Sequence, residues 1–138
     1  MEIIKYAKFL ADAVEANFPA FVRGGVTVDL MPDFDLRKIK ELQIVVFPGA
    51  YSTAIESRNS NLITITYKIG FMEHIERHEL ENKIELVENL ATKLLKKHLG
   101  DGEIKSVEYN PIYEVDALLE MSVFLSICEV TIEVELDE

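Results

Sequence analysis

The sequence has very little cysteine and no apolar run that could cross a membrane. Cys128 is the only cysteine among 138 residues, so an intrachain disulfide cannot form. It lies in an apolar run without basic neighbours, which predicts a small buried side chain rather than a catalytic thiol. No run approaches the ~18 apolar residues of a membrane span, and charges inside the N-terminal apolar stretch argue against a signal peptide. We expect a protein of the reducing cytoplasm with no membrane partner.

Positive charge is also scarce. The chain has 14 basic residues against 25 acids and a formal net charge of -11. An acidic surface repels phosphate, so we expect no sequence-specific binding of nucleic acid. Hydrophobic residues make up 49% of the chain, which predicts one domain over residues 1–138 with a real core.

Catalytic motifs are missing as well. There is no glycine-rich phosphate loop, no GxSxG, and no serine whose spacing pairs it with a histidine and an aspartate. His74 and His78 are four residues apart and would share one face of a helix, where they could bind a metal. A zincin motif has glutamate directly after its first histidine, and Ile75 stands there instead. We therefore predict no catalytic residue and no cofactor.

Three neighbouring aspartates are a second candidate for a cation site: Asp29, Asp33 and Asp35. Their segment lacks the glycine and the terminal glutamate of an EF-hand loop. Turn-forming aspartates explain them more simply, so we predict no metal ion. A small metal-dependent enzyme that uses the two histidines remains the least favoured alternative.

Two segments have helical periodicity. Residues 2–17 repeat apolar side chains at helical spacing, and residues 79–99 do so more strongly. The second segment has glutamates in its first turns and lysines in its last, which matches the helix dipole. Gly100 follows it and is a typical helix C-cap.

Five segments are typical of strands: 26–30, 41–49, 62–72, 102–113 and 121–136. Between the second and third lies AYSTAIESRNSN (50–61), rich in Ser, Asn and Thr and without periodicity. We predict a long loop there, at the tip of a hairpin that the two flanking strands form. Tyr51 and Arg58 in this loop are of types enriched at protein interfaces.

The last strand has two different faces. Alternate residues from Phe124 to Leu136 form one core face, while Val123, Leu125 and Ile127 form an apolar patch on the other face of its first half. That patch requires a cover. A helix of the same chain and a neighbouring subunit are both possible covers, and an exposed strand edge would help a subunit to dock.

These elements give the order helix, three strands, helix, two strands. Strands lie on either side of a central helix and hairpin connections make their neighbours antiparallel. We predict an α+β fold with a mainly antiparallel sheet and both helices packed on one face.

The C-terminal run YNPIYEVDALLEMSVFLSICEVTIEV (109–134) resembles the ends of small neck proteins of long-tailed bacteriophages. Such proteins have a Leu-rich helix, a strand, a P-x-Y/F element, an acidic-hydrophobic turn and a last strand with a phrase like VFLSxxxVT. Residues 79–136 carry this resemblance, and the family it points to is the siphophage tail terminator, or tail completion, family. A head–tail stopper or connector, or a minor tail protein, would look similar.

The resemblance implies a structural protein of the virion, in the tail–neck region, that is present in the host cytoplasm before assembly. Tail terminators form rings, usually hexamers, that cap the tail tube and present a surface to head-completion proteins. Partners would be further copies of the chain, the tube protein and the connector, with DNA passing through the ring. We expect subunit contacts at Val123, Leu125 and Ile127. We expect tube or connector contacts in the loop, at these residues: Tyr51, Ser52, Arg58 and Asn59.

Overall fold

The computed structural model describes residues 2–17, 26–32, 35, 39, 41–95 and 97–137. Its helices are α1 (Glu2–Asn17), α2 (Leu80–Leu94) and α3 (Val115–Met121), and a short 3₁₀ turn (Arg77–Glu79) precedes α2. Its strands are β1 (Val26–Val28), β2 (Gln43–Ser57), β3 (Ser60–His74), β4 (His98–Leu99), β5 (Gly102–Tyr109) and β6 (Val123–Asp137). The α+β class is confirmed, and β4 and α3 are additions to the predicted order. None of these helices is long and apolar enough to span a membrane.

All six strands of these ranges form one sheet in the order β1-β2-β3-β6-β5-β4. Only β1 and β2 are parallel, and every other neighbouring pair is antiparallel. The two central strands, β3 and β6, pair without interruption from Ser60 opposite Asp137 to His74 opposite Val123. This long pair of strands forms the centre of the sheet, and the other elements pack around it.

The core lies on one face of the sheet, between the central strands and the helices. Alternate residues of β3 are buried there, as the alternation of 62–72 predicts. Alternate residues of β6 from Phe124 to Val134 are buried on the same face. Helices α1 and α2 add their apolar stripes to the same cluster, so both predicted helices pack on this face. The Tyr67 hydroxyl donates a hydrogen bond to the Ile3 carbonyl and ties the sheet to α1.

Helix α2 ends earlier than predicted. Leu95 leaves the helix with φ -57° and ψ 131°, and the chain turns into β4. His98, which falls within the predicted helix over residues 79–99, therefore lies in β4. Gly100 has φ +61° in the turn between β4 and β5, so the predicted helix cap is wrong. The apolar stripe continued past the helix because Leu99 is buried from β4 instead.

The connection from β5 to β6 also differs from the prediction. Strand β5 ends at Tyr109, and residues 110–114 then run beside the start of β6. The Glu114 amide donates a 2.8 Å hydrogen bond to the Leu125 carbonyl. Helix α3 follows and ends at Met121. The next residue, Ser122, has a left-handed backbone (φ 54°) and turns the chain into β6.

Candidate functional site

Strands β2 and β3 form the predicted hairpin. Residues 50–61 continue its two strands almost to the turn, so the long loop predicted at its tip is wrong. Strand β2 continues to Ser57, Arg58 and Asn59 make the turn, and β3 begins at Ser60. The hydroxyl oxygens of Ser57 and Ser60 lie 2.7 Å apart across the turn. We call residues 50–59 the hairpin arm. Its sequence lacks alternation because neither of its faces packs against the core, while backbone pairing with β3 still holds it as a strand.

Every residue of the hairpin arm is exposed. Tyr51 pairs with Ile65 across the hairpin, yet Tyr51 is 49% exposed and Ile65 is 1% exposed. Ile55 shares the face of Tyr51 and is 83% exposed. Ser52 lies on the opposite face, and Arg58 and Asn59 lie at the tip. The four predicted contact residues are therefore all accessible, although they point in different directions.

The outer backbone edge of the hairpin arm is open. Strand β1 pairs only with Ile44–Val46, so Ala50–Ser57 has no strand neighbour on that side within the described ranges. The register shifts at Gly49, where an added Cβ would lie 3.1 Å from the Thr66 carbonyl oxygen. An open edge with exposed apolar side chains is a surface on which another protein can dock.

The sheet face opposite the core carries mostly polar and acidic residues. Glu103 of β5 lies directly opposite Glu133 of β6. Lys105 lies 3.3 Å from the Glu103 carboxylate and 4.0 Å from that of Glu133. Like charges opposite each other on neighbouring strands are destabilising, and exposed ion pairs contribute little, so this face stays negative.

A cleft of about 280 Å³ opens on the same face, between β6 and residues 110–114. We call it the acidic cleft, and it is lined by Lys68, Glu108, Asn110, Pro111, Glu114, Leu125, Ile127 and Glu129. Three carboxylates and one ammonium group surround an apolar floor. Sequence patterns do not indicate Glu108 and Glu114 as site residues, because their only signal is their position on either side of Pro111.

The three residues of the predicted subunit-interface patch differ in exposure. Val123 is 1% exposed and is buried within the single chain. Leu125 and Ile127 are half-buried, and both line the cleft. Residues of the same chain thus cover part of the patch, and only Leu125 and Ile127 remain accessible to a neighbour. The subunit contact itself stays a prediction.

The candidate metal ligands are not brought together. His74 is the last residue of β3 and His78 lies in the 3₁₀ turn, so they do not share a helical face, and both are exposed. No group of three or more His, Cys, Asp or Glu residues in the described ranges could hold a metal ion. Asp29 accepts a 2.9 Å hydrogen bond from the Met31 amide, as a turn aspartate does. Asp33 lies outside the described residues.

Cys128 is buried, as predicted from its apolar surroundings. It lies opposite Tyr109 in the β5–β6 register. Burial raises the pKa of the Cys128 thiol to about 12 and raises the pKa of Tyr109 well above its usual range. A thiol that stays protonated at neutral pH is a poor nucleophile.

No protein-family model matches the sequence, and no curated protein matches it. Among solved structures, the chain is similar to the sheath/tube terminator of an extracellular contractile injection system, PVC, in its extended state. The identity is 13%, the TM-score is 0.47, and the match covers 95% of this chain and 57% of the terminator, so this chain spans little more than half of the terminator's length. A second solved protein, known by a sequence identifier alone, is 14% identical with a TM-score of 0.42 over 99% of this chain and 94% of its own. At these values neither similarity assigns a function to this chain.

Proposed function

We propose that this chain is a tail terminator of a phage-like particle, a non-enzymatic protein that works as a ring. The observation that carries the proposal is the hairpin arm. A strand that is exposed on both faces, and that has no strand neighbour along one edge among the described residues, contributes little to the chain's own core. Its apolar residues, Tyr51 and Ile55, are better explained by a protein partner. The resemblance of residues 79–136 to tail terminators indicates which partner this is, namely the tube protein or the connector.

The mechanism would be steric. Copies of the chain form a ring on the last ring of tube protein, with the hairpin arms in contact with the tube or the connector. Occupying the open end removes the surface on which the next tube ring would add. Leu125 and Ile127 are the accessible apolar residues for contacts between subunits.

The charge distribution supports a ring through which DNA passes. The sheet face opposite the core is acidic, and the whole chain has a net charge of -11. A lumen of this sign repels phosphate, so DNA would slide without sticking. In this proposal the chain lies in the tail–neck region of the virion and in the host cytoplasm before assembly.

Tube polymerisation tests the proposal. Tube protein of the same particle is assembled with and without this chain, and tube ends and lengths are measured by negative-stain electron microscopy. We expect rings at tube ends and arrested growth with the wild type, and neither with Ile55→Asp. Met31→Asp is the matched control, because Met31 is 86% exposed but lies outside the arm. Tubes that grow equally with and without the wild-type chain would contradict the proposal.

A further inference from the structure

The acidic cleft has more negative charge than the residues described by the structure neutralise. Glu108 and Glu129 lie directly opposite each other on β5 and β6, an arrangement that is destabilising without a cation nearby. Lys68 lies 4.0 Å from Glu129, and both side chains are about half exposed. Neither Glu108 nor Glu114 forms an ion pair with any residue that the structure describes. A further positively charged group in the cleft would therefore be electrostatically favourable.

The apolar residues that line the acidic cleft favour a long basic side chain over a small ion. Leu125, Ile127 and Pro111 present apolar surface between the carboxylates. A small hydrated ion gains nothing from such a floor. A long basic side chain can lay its aliphatic stem on apolar residues and place its charged end against carboxylates. Arginine fits best, because its guanidinium donates paired hydrogen bonds to carboxylates.

Arg58 is a candidate for that arginine. It lies at the tip of the hairpin arm, is exposed, and forms no ion pair within the described part of the chain. It cannot enter the cleft of its own chain. The turn adjoins Asp137 of β6, which is ten residues from Ile127, or roughly 33 Å at ~3.3 Å per residue.

We infer that the acidic cleft of one copy receives Arg58 from the hairpin arm of a second copy. The inference rests on the proposed function, since it describes how neighbours in the ring meet. A contact between the tip of one copy and the cleft of the next joins two different surfaces, and such head-to-tail contacts close into rings or extend as filaments. It assigns Arg58 to the neighbouring subunit and leaves Tyr51 and Ile55 for the tube.

Sedimentation velocity over a concentration series tests the inference on the isolated chain. We expect Arg58→Glu to weaken self-association by at least about tenfold, because it places a fourth carboxylate in the cleft. Arg77→Glu is the matched control, with the same change of charge at an exposed residue of the 3₁₀ turn. It should associate like the wild type. Circular dichroism and thermal unfolding verify that each variant is folded.

A charge exchange completes the test. Glu114→Arg alone should weaken association, and Glu114→Arg combined with Arg58→Glu should restore it in part. Three results would overturn the inference: a wild type that stays monomeric at every concentration, an Arg58→Glu variant that associates normally, or a double variant without any recovery. The proposed function fails separately, when the wild type does not arrest tube growth.

Discussion

The hydroxyl of Ser126 donates a 2.6 Å hydrogen bond to the carbonyl of Ile112. Ser126 is fully buried on the core face of β6, and the bond fixes residues 110–114, one wall of the acidic cleft. We predict that Ser126→Ala lowers the free energy of unfolding by about 1–2 kcal/mol, since it leaves the carbonyl without this donor. Urea denaturation measures the change, with the exposed Ser52→Ala as control. A Ser126→Ala variant as stable as the wild type would show that the bond does not hold this wall.

Substitutions at Tyr51 and Ile65 compare how much the hairpin arm and the core each contribute to stability. The two residues are cross-strand partners, but only Ile65 is buried. Ile65→Ala should cost about 2–5 kcal/mol of unfolding free energy, because it leaves a cavity in the core. Tyr51→Ala should change stability by no more than about 0.5 kcal/mol. Chemical denaturation of both variants checks this, and a large loss in Tyr51→Ala would mean that the arm packs against its own chain.

Gly100 is required by the turn between β4 and β5. Its φ of +61° is unfavourable for residues with a side chain, and an added Cβ would lie 2.9 Å from the Phe9 ring. Gly100→Ala should lower the free energy of unfolding by about 1–2 kcal/mol from backbone strain alone. Gly100→Asn introduces the same Cβ but tolerates this backbone better, so it should be less destabilising than alanine. Equal stability of all three proteins in thermal unfolding would contradict the turn geometry.

The buried thiol of Cys128 makes stability depend on alkaline pH. Its pKa rises from the ordinary value of 9.0 to about 12 on folding, because burial disfavours the thiolate. Well below pH 9 the thiol is protonated in both states and has no effect on stability. As the pH rises from 9 towards 12, the unfolded chain ionises first, so the free energy of unfolding falls.

Cys128→Ala should weaken that fall at about pH 9, where unfolded tyrosines, with a pKa of about 10, are still mostly protonated. Urea denaturation at each pH measures it. Iodoacetamide should label native Cys128 no faster than the chain opens. Rapid labelling of the folded protein at pH 8 would mean that the thiol is accessible.

The sequence predicts the long elements that face the core, but it does not predict the strands of the hairpin arm. Apolar residues recur periodically where one face of an element is buried. The spacing of apolar residues therefore predicts α1, α2, β3 and β6. The hairpin arm has no buried face, and its Ser, Thr and Asn residues therefore look like a loop. Its strand conformation comes from backbone pairing with β3, which composition does not encode.

Other differences come from short elements. Helix α3 has seven residues, too few for a clear helical period. The end of α2 cannot be predicted from periodicity, because Leu95 and Leu99 continue the apolar spacing of the helix after the chain has turned towards β4. The acidic cleft depends on how residues 110–114 fold back beside β6, so only the tertiary structure brings Glu108, Glu114 and Glu129 together.

The most direct measurement is the distribution of tail lengths in a strain whose particles lack this chain. Tails are imaged by electron microscopy with no copy of the gene, with the wild-type gene and with the Ile55→Asp variant. A terminator predicts tails of abnormal length without the gene, normal tails with the wild type and abnormal tails with the variant. Finished tails of normal length that fail to hold to filled heads would contradict this account and identify a head–tail stopper instead.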